Sequence, residues 1–155
     1  MARWWTSGER LDRTRLAMLI VAVVLLMRGA NEAAPAQGGG AQTAWDGLYT
    51  EAQAERGKVA YEEQCSFCHL SDLSGQGFAP PLVDDAFTQR WQDGNLGDLF
   101  TIVKVTMPQD KPQSLTDAQY AEIVAHMLKA NKYPAGAQEL KADPALLKGI
   151  AFKKP

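Results

Sequence analysis

Two cysteines and a histidine lie close together near the middle of this 155-residue chain. They form the run Cys65-Ser66-Phe67-Cys68-His69, which has the pattern C-x-x-C-H. This pattern is the attachment signature of c-type haem. Two thiols three positions apart can each add across one vinyl group of the same porphyrin, and the histidine that follows then lies under the iron. The sequence therefore predicts one covalently attached haem c, with His69 as the proximal ligand.

Three other uses of a C-x-x-C-H run agree less well with the sequence. A thioredoxin-like C-x-x-C needs a βαβ setting, and this chain has no alternating strand pattern of useful length. A zinc site lacks ligands, because only His126 remains downstream of the motif. A disulfide between Cys65 and Cys68 would close a very tight loop with no obvious use. Haem attachment is therefore the preferred interpretation.

Haem iron needs a sixth ligand or an open site, and the chain offers Met107, Met127 and His126 for it. Met127 lies on the apolar stripe of a predicted helix, so we expect it in the core. His126 projects about 100° away from Met127 on that helix, and we expect it in solvent. Met107 precedes Pro108 in a predicted loop, where a side chain can be held over a haem face. Ligation by His69 and Met107 would raise the reduction potential and leave no site for oxygen.

Composition and charge exclude several other classes of protein. The chain has 16 basic and 18 acidic residues, with 46% hydrophobic and 22% charged content, which is ordinary for a globular protein. There is no basic excess to neutralise phosphates, which argues against nucleic-acid binding. No apolar run reaches about 18 residues, so a polytopic membrane protein is excluded.

The amino terminus has the features of an export signal. Four arginines precede an unbroken apolar run over 16–27, which is too short to span a bilayer comfortably but suits a signal-peptide core. The tripeptide Ala-Pro-Ala at 34–36 then offers a small-x-small cleavage pattern. We therefore expect residues 1–36 to be removed and the protein to be periplasmic or secreted. A retained membrane anchor is the alternative, and Arg28 at the end of the run disfavours it.

Helix signals recur along the rest of the chain, and strand signals do not. Thr50 and Thr116 each begin a capping-box pattern, and the apolar residues after Thr116 recur with helical period. Asn95 and Asp143 are predicted caps of two further helices. The predicted helices run from 51 towards 64, over 84–91, over 96–106, from 117 to a stop at Asn131, and from 144 onward. The fold is predicted to be all-α.

From about 45 to 134 the chain resembles a small single-haem class I cytochrome c of bacterial type. It most resembles the cytochrome modules found with quinoprotein (PQQ-dependent) alcohol dehydrogenases and the haem-c subunits of cbb3-type oxidases. The attachment motif and Met107-Pro108 are the specific matches. The supporting matches are Arg56-Gly57, Tyr61, Ala79-Pro80-Pro81-Leu82, Trp91 and the helix from Leu115 to Leu128. The resemblance implies about four to five helices wrapped around one haem.

The resemblance also implies roles for particular residues. The carbonyl of Pro80 would accept a hydrogen bond from the Nδ1–H of His69 and so fix the ring. Leu82 would pack against the porphyrin. Trp91 would either donate to a haem propionate or lie in the core as an ordinary buried tryptophan. Gly57 would let the first helix cross the last one closely, which explains a residue that costs about 1 kcal/mol inside a helix.

The domain organisation and function that we expect follow from these matches. Residues 37–44 are predicted to be a flexible linker, 45–134 the cytochrome domain, and 135–155 an extension in which Leu146, Leu147, Ile150 and Phe152 pack back on that domain. We expect one-electron transfer to or from redox proteins, such as a quinoprotein dehydrogenase, a terminal oxidase or a bc1-type complex, without chemistry on a small-molecule substrate. The alternatives are a haem subunit permanently docked to such an enzyme, and an open-site haem sensor or peroxidase.

Charge is distributed unevenly along the chain. Residues 37–128 carry 5 basic and 13 acidic groups, whereas 129–155 carry 6 lysines against Glu139 and Asp143. The haem crevice therefore cannot be surrounded by a ring of lysines. We expect docking that is either largely apolar or directed at a basic partner surface.

Overall fold

The computed structural model describes residues 42–154. This part of the chain contains six helices and two isolated β-bridges but no strand, which confirms the all-α prediction. The helices are α1 (Glu51–Gln64), α2 (Ser66–His69), α3 (Asp84–Trp91), α4 (Leu96–Thr106), α5 (Asp117–Ala130) and α6 (Pro144–Leu147). Five of them were expected. The single turn α2 was not, because a four-residue helix has no periodic pattern to reveal it.

Side-chain caps begin four of these helices at the predicted residues. The hydroxyl of Thr50 accepts from the backbone of α1, and the side chain of Asn95 accepts from the backbone of α4. Thr116 and Gln119 form a reciprocal capping box at the start of α5. Asp143 accepts from two backbone N–H groups of α6. Each cap satisfies donors that a helix end otherwise leaves unpaired, so these boundaries could be predicted locally.

The crossing of α1 over α5 is the tightest contact in the scaffold. A Cβ atom at Gly57 would lie 1.8 Å from the carbonyl oxygen of Glu122, so only glycine fits there. The predicted close crossing is therefore confirmed. Arg56 pairs with Glu122 and Glu139 beside it, and Lys129 pairs with two glutamates of α1. These ion pairs are largely exposed and therefore contribute little, which leaves close packing as the main interaction at this crossing.

The segment after α5 packs back on the helices. Leu147, Ile150 and Phe152 are buried, as predicted. Leu146 is 57% exposed, so the expectation that it packs with them is wrong. Phe152 lies edge-on to Phe87 with ring centroids 5.8 Å apart. The carboxyl-terminal segment thus closes the core over α3 and α4.

Residues 42–44 differ from the predicted flexible linker over 37–44. Ala44 is buried, and its N–H donates to the carbonyl oxygen of Ala151 at 2.8 Å. Thr43 forms a β-bridge with the same residue. This pairing depends on a segment about one hundred residues away, which local composition cannot show. The rest of the linker and the predicted signal peptide over 1–36 lie outside the described residues. Within 42–154, no helix is long and apolar enough to cross a membrane.

Candidate functional site

The C-x-x-C-H motif folds as a helical turn that continues from α1. The N–H of Cys65 donates to the carbonyl of Tyr61, and the N–H of His69 donates to the carbonyl of Cys65 at 2.9 Å. Residues three and four positions apart lie on one face of such a turn. The backbone therefore places Cys65, Cys68 and His69 on the same side of the turn, as attachment to one porphyrin requires.

Both thiols are free in the structure. Cys68 is exposed and Cys65 is partly buried. Burial raises the pKa of the Cys65 thiol to about 11, so this thiol is protonated at neutral pH. A catalytic cysteine needs the thiolate, and its pKa is usually lowered rather than raised. The environment of Cys65 therefore suits a thioether link better than nucleophilic or thiolate chemistry.

His69 is 6% exposed, and one of its ring nitrogens has a partner in the protein. Its Nδ1 lies 3.0 Å from the carbonyl oxygen of Pro80. A carbonyl can only accept, so this contact places the proton on Nδ1 and leaves a lone pair on Nε2. A carbonyl that accepts from the ring in this way fixes its orientation and raises its basicity as an iron ligand. The contact implied for Pro80 is present in the structure.

The loop that carries Pro80 is folded tightly against the motif. The N–H of Gly75 donates to the carbonyl of His69 at 3.0 Å, and the N–H of Leu82 donates to the carbonyl of Leu73 at 2.8 Å. Gly75 has φ +73°, and a Cβ atom there would lie 2.4 Å from the carbonyl oxygen of Ala79. Only glycine allows this approach. The loop is thereby held in the shape that presents the Pro80 carbonyl.

Met107 follows α4 directly and is held from two sides. The hydroxyl of Tyr120, which is buried, donates to the carbonyl oxygen of Met107 at 2.8 Å. The loop that begins at Met107 returns to α4 where the N–H of Gln113 donates to the carbonyl of Lys104. Lys104 also pairs with Asp117 at the start of α5. The helical period of the apolar residues after Thr116 predicts that Tyr120 is buried, but it does not reveal the partner of its hydroxyl.

Leu82 lies two residues before α3, and Trp91 is the last residue of that helix. Leu82 is partly buried, and its carbonyl accepts from the side chain of Asn131 at 2.9 Å. Trp91 is buried against the ring of Phe152, with centroids 6.0 Å apart, and the guanidinium of Arg90 lies over its ring. This packing gives Trp91 a place in the core. The roles towards haem that the resemblance implied for Leu82 and Trp91 stay predictions.

His126 is not in solvent, and the expectation of an exposed side chain is wrong. Its ring packs on Tyr61 with centroids 5.3 Å apart, and its Nε2 is buried without a hydrogen-bond partner in the described part of the chain. This burial lowers the pKa of His126. The side chain points off the stripe that contains Met127, but the crossing helix α1 covers that direction as well. Met127 itself is in the core, as predicted.

The donor set around the turn fits a haem. Cys65 and Cys68 offer two free thiols, and His69 offers a buried imidazole with one nitrogen already engaged. Partly buried apolar side chains lie nearby in sequence, including Leu82 and Val83. Thioethers, imidazole and an apolar surround are what a c-type haem requires. The fold and the site together define a class I c-type cytochrome.

Comparisons with known proteins agree with this class. The family model described as "Cytochrome C oxidase, cbb3-type, subunit III" matches residues 52–127. The thiosulfate dehydrogenase of Stutzerimonas stutzeri (strain A1501) is 33% identical over 106 residues. That match covers 63% of this chain and 31% of the relative, so the chain spans about a third of that protein's length. No solved structure matches. The chain belongs to the class I c-type cytochromes, a family that binds haem c covalently.

Proposed function

We propose that the protein is an exported one-electron carrier with a single haem c. Cys65 and Cys68 would hold the haem through thioether links, and His69 and Met107 would be the protein ligands of its iron. The observation that carries this proposal is the buried His69, whose Nδ1 lies on the Pro80 carbonyl beside two free thiols on the same turn. A turn built in this way presents one imidazole nitrogen and two attachment points to one cofactor.

The chain's own residues would tune and shield the cofactor. The Pro80 carbonyl makes His69 a stronger donor, and the hydroxyl of Tyr120 holds the backbone of Met107, whose thioether would be the second iron ligand. When bound, the haem supplies a one-electron ferric–ferrous couple. A thioether ligand raises the potential of that couple and occupies the position that oxygen would need. These properties suit a carrier better than an open-site sensor or peroxidase.

A permanent haem subunit of a larger oxidoreductase is the second candidate. The family match supports it, because that family is described as subunit III of an oxidase, and the similar protein is named a dehydrogenase. A quinoprotein dehydrogenase or a bc1-type complex would also be a reasonable partner, because each is a redox enzyme that exchanges electrons with other proteins. Size-exclusion chromatography of the protein from its native host separates the two candidates. A carrier elutes as a small protein, and a subunit elutes with its enzyme.

Removal of both thiols tests whether Cys65 and Cys68 attach the haem, on which the whole proposal depends. Cys65→Ala with Cys68→Ala should leave no haem on the chain after acid extraction, when the protein is made in a cytochrome c maturation host. Ser66→Ala is the matched control, because it lies in the same turn and leaves the motif intact. Haem that stays covalently bound in the double variant would overturn the proposal.

Amino-terminal sequencing of the wild-type protein tests the export signal. The sequence should begin at Gln37 if residues 1–36 are removed.

A further inference from the structure

Two phenylalanine side chains next to the motif are almost fully exposed. Phe67 is 88% exposed and Phe78 is 109% exposed, more than any other large apolar side chain in the described part of the chain. A single exposed apolar residue is ordinary, but several on one surface mark a place where another molecule binds. Phe67 and Phe78 can mark such a place only if they lie on the same surface.

A hydrogen bond joins the segments that carry them. The side-chain amide of Gln76 donates to the carbonyl oxygen of Phe67 at 2.7 Å. The N–H of Ala79 donates to the carbonyl of Gln76 at 3.0 Å, which closes a turn containing Phe78. At Gly77, beside Phe78, a Cβ atom would meet nothing within 4 Å, so the turn projects into open space. The turn that presents Phe78 is thus fastened to the backbone of Phe67.

Phe67 faces away from the side of the turn that His69 occupies. It lies two residues before His69, which is about 200° around a helical axis. The burial agrees with this geometry, because His69 is 6% exposed and Phe67 is 88% exposed. Cys68 lies between them in sequence and is itself exposed. Cys68, one of the two attachment points of the cofactor, therefore lies at the surface beside Phe67. The side chain of Phe67 is directed outwards.

The charges around this surface have one sign. Between 59 and 83 the chain has three acidic residues and no lysine or arginine. Glu62 pairs with Lys58 at 3.8 Å, and Glu63 and Asp72 are exposed without a basic partner within this segment. Acidic groups in the segment that carries an apolar patch favour a basic partner surface and repel the same patch of a second copy or an anionic membrane.

We propose that Phe67 and Phe78 form a docking patch for a redox-partner protein whose surface is apolar at its centre and basic at its rim. Cys68 is exposed and next to Phe67 in the chain, so a partner bound at the patch would lie beside one of the two attachment points of the haem. This inference rests on the proposed electron-carrier function and names the surface through which it operates. A small interface of this kind is typical of transient electron-transfer complexes.

Voltammetry on a defined surface tests the patch with the whole holoprotein. The probe is a gold electrode coated with a mixed monolayer of methyl-terminated and amine-terminated alkanethiols, which reproduces an apolar centre with basic groups. Phe67→Ser with Phe78→Ser should lower adsorption and the interfacial electron-transfer rate by at least about fivefold, as loss of a central anchor does. Leu146→Ser is the matched control, because Leu146 is 57% exposed but lies on α6, and it should behave as wild type.

Four results would overturn the patch. The first is unchanged adsorption and rate in the double variant. The second is a loss confined to Lys153→Gln with Lys154→Gln, which would place docking on the basic tail. The third is a shifted absorption spectrum or midpoint potential of the double variant in free solution, which would assign the phenylalanines to haem packing. The fourth is a wild-type dimer in sedimentation velocity that the double variant abolishes, because the occupant would then be a second copy.

The same electrode separates failure of the patch from failure of the proposed function. A wild-type protein with no reversible one-electron couple on any monolayer would contradict the carrier function itself. A reversible couple that does not depend on Phe67 and Phe78 would leave the carrier function standing and remove only the patch.

Discussion

The helix crossing and the two ligand loops are held together in different ways. At the crossing of α1 and α5, backbone meets backbone so closely that Gly57 admits no side chain, and buried residues surround the contact. The loops that present His69 and Met107 depend on a few hydrogen bonds, chiefly to the Pro80 carbonyl and from the Tyr120 hydroxyl. Packing fixes the first region, and individual polar contacts fix the second.

This difference separates stability from electron-transfer properties. Changes at the crossing should unfold the protein before they alter its spectrum. Changes in the loops should alter iron ligation while most of the fold persists. The division is useful to an electron carrier, because a rigid scaffold limits the rearrangement that accompanies each electron, and the loops adjust the potential.

Among substitutions of Gly57, Tyr120 and His126, Gly57→Ala should give the largest loss of stability. The new Cβ would collide with the backbone of Glu122, which cannot move without separating the two helices. We expect a loss of more than about 2 kcal/mol in the free energy of unfolding, even though alanine favours the helix by about 1 kcal/mol. Guanidinium unfolding of the holoprotein measures it. Gly149→Ala is the control, since its Cβ would have its nearest neighbour at 3.6 Å. Equal stability of the two variants would contradict the packing described for the crossing.

Tyr120→Phe should have a smaller effect on stability and a specific effect on the site. It removes the hydrogen bond to the Met107 carbonyl, at a cost of about 1 kcal/mol. Tyr49→Phe is a matched control, because the Tyr49 hydroxyl donates to the Tyr133 carbonyl at 2.7 Å, away from the ligand loop. Both variants should lose similar stability, but only Tyr120→Phe should weaken the ferric Met–iron band on warming. If both variants lose that band at the same temperature, Tyr120 does not position Met107.

Substitution of His126 should have the smallest effect on the free energy of unfolding, and this effect should depend on pH. Burial lowers the pKa of His126, so the folded protein binds its proton less readily than the unfolded chain does. Stability is therefore complete above the unfolded value of about 6.5 and falls as the pH drops through it. His126→Phe should flatten this slope between about pH 7.5 and 5.5, measured by guanidinium unfolding at each pH. An unchanged slope would mean that another group causes the dependence.

Local sequence patterns predicted most of the fold because the ends of the helices and their buried faces depend on residues that are close together in the sequence. The caps at Thr50, Asn95 and Thr116 each satisfy nearby backbone donors, and the period after Thr116 marks the buried face of α5. Two of the misjudged features depend on contacts between distant segments. His126 is covered by α1, and Ala44 pairs with Ala151. Sequence separation hides both contacts.

The same distinction applies to the site. The spacing of the motif predicted which side chains share one side of the turn, because three and four residues bring a helix back to the same face. The hydroxyl bond from Tyr120 to Met107 joins residues 13 positions apart on different elements, so no local pattern reveals it. The exposure of Phe78 likewise follows from the shape of its loop rather than from the residue type.

The identity of the sixth ligand is the central claim, and the absorption spectra of Met107→Ala and Met127→Ala test it most directly. Met107→Ala should lose the weak red-edge band of the ferric Met–iron bond, lower the potential and bind carbon monoxide or cyanide readily. Met127 is 2% exposed in the core, so Met127→Ala should lose about 2–5 kcal/mol of stability and keep its low-spin spectrum. If the two variants exchange these phenotypes, or if the wild-type spectrum is already high-spin, Met107 is not the axial ligand.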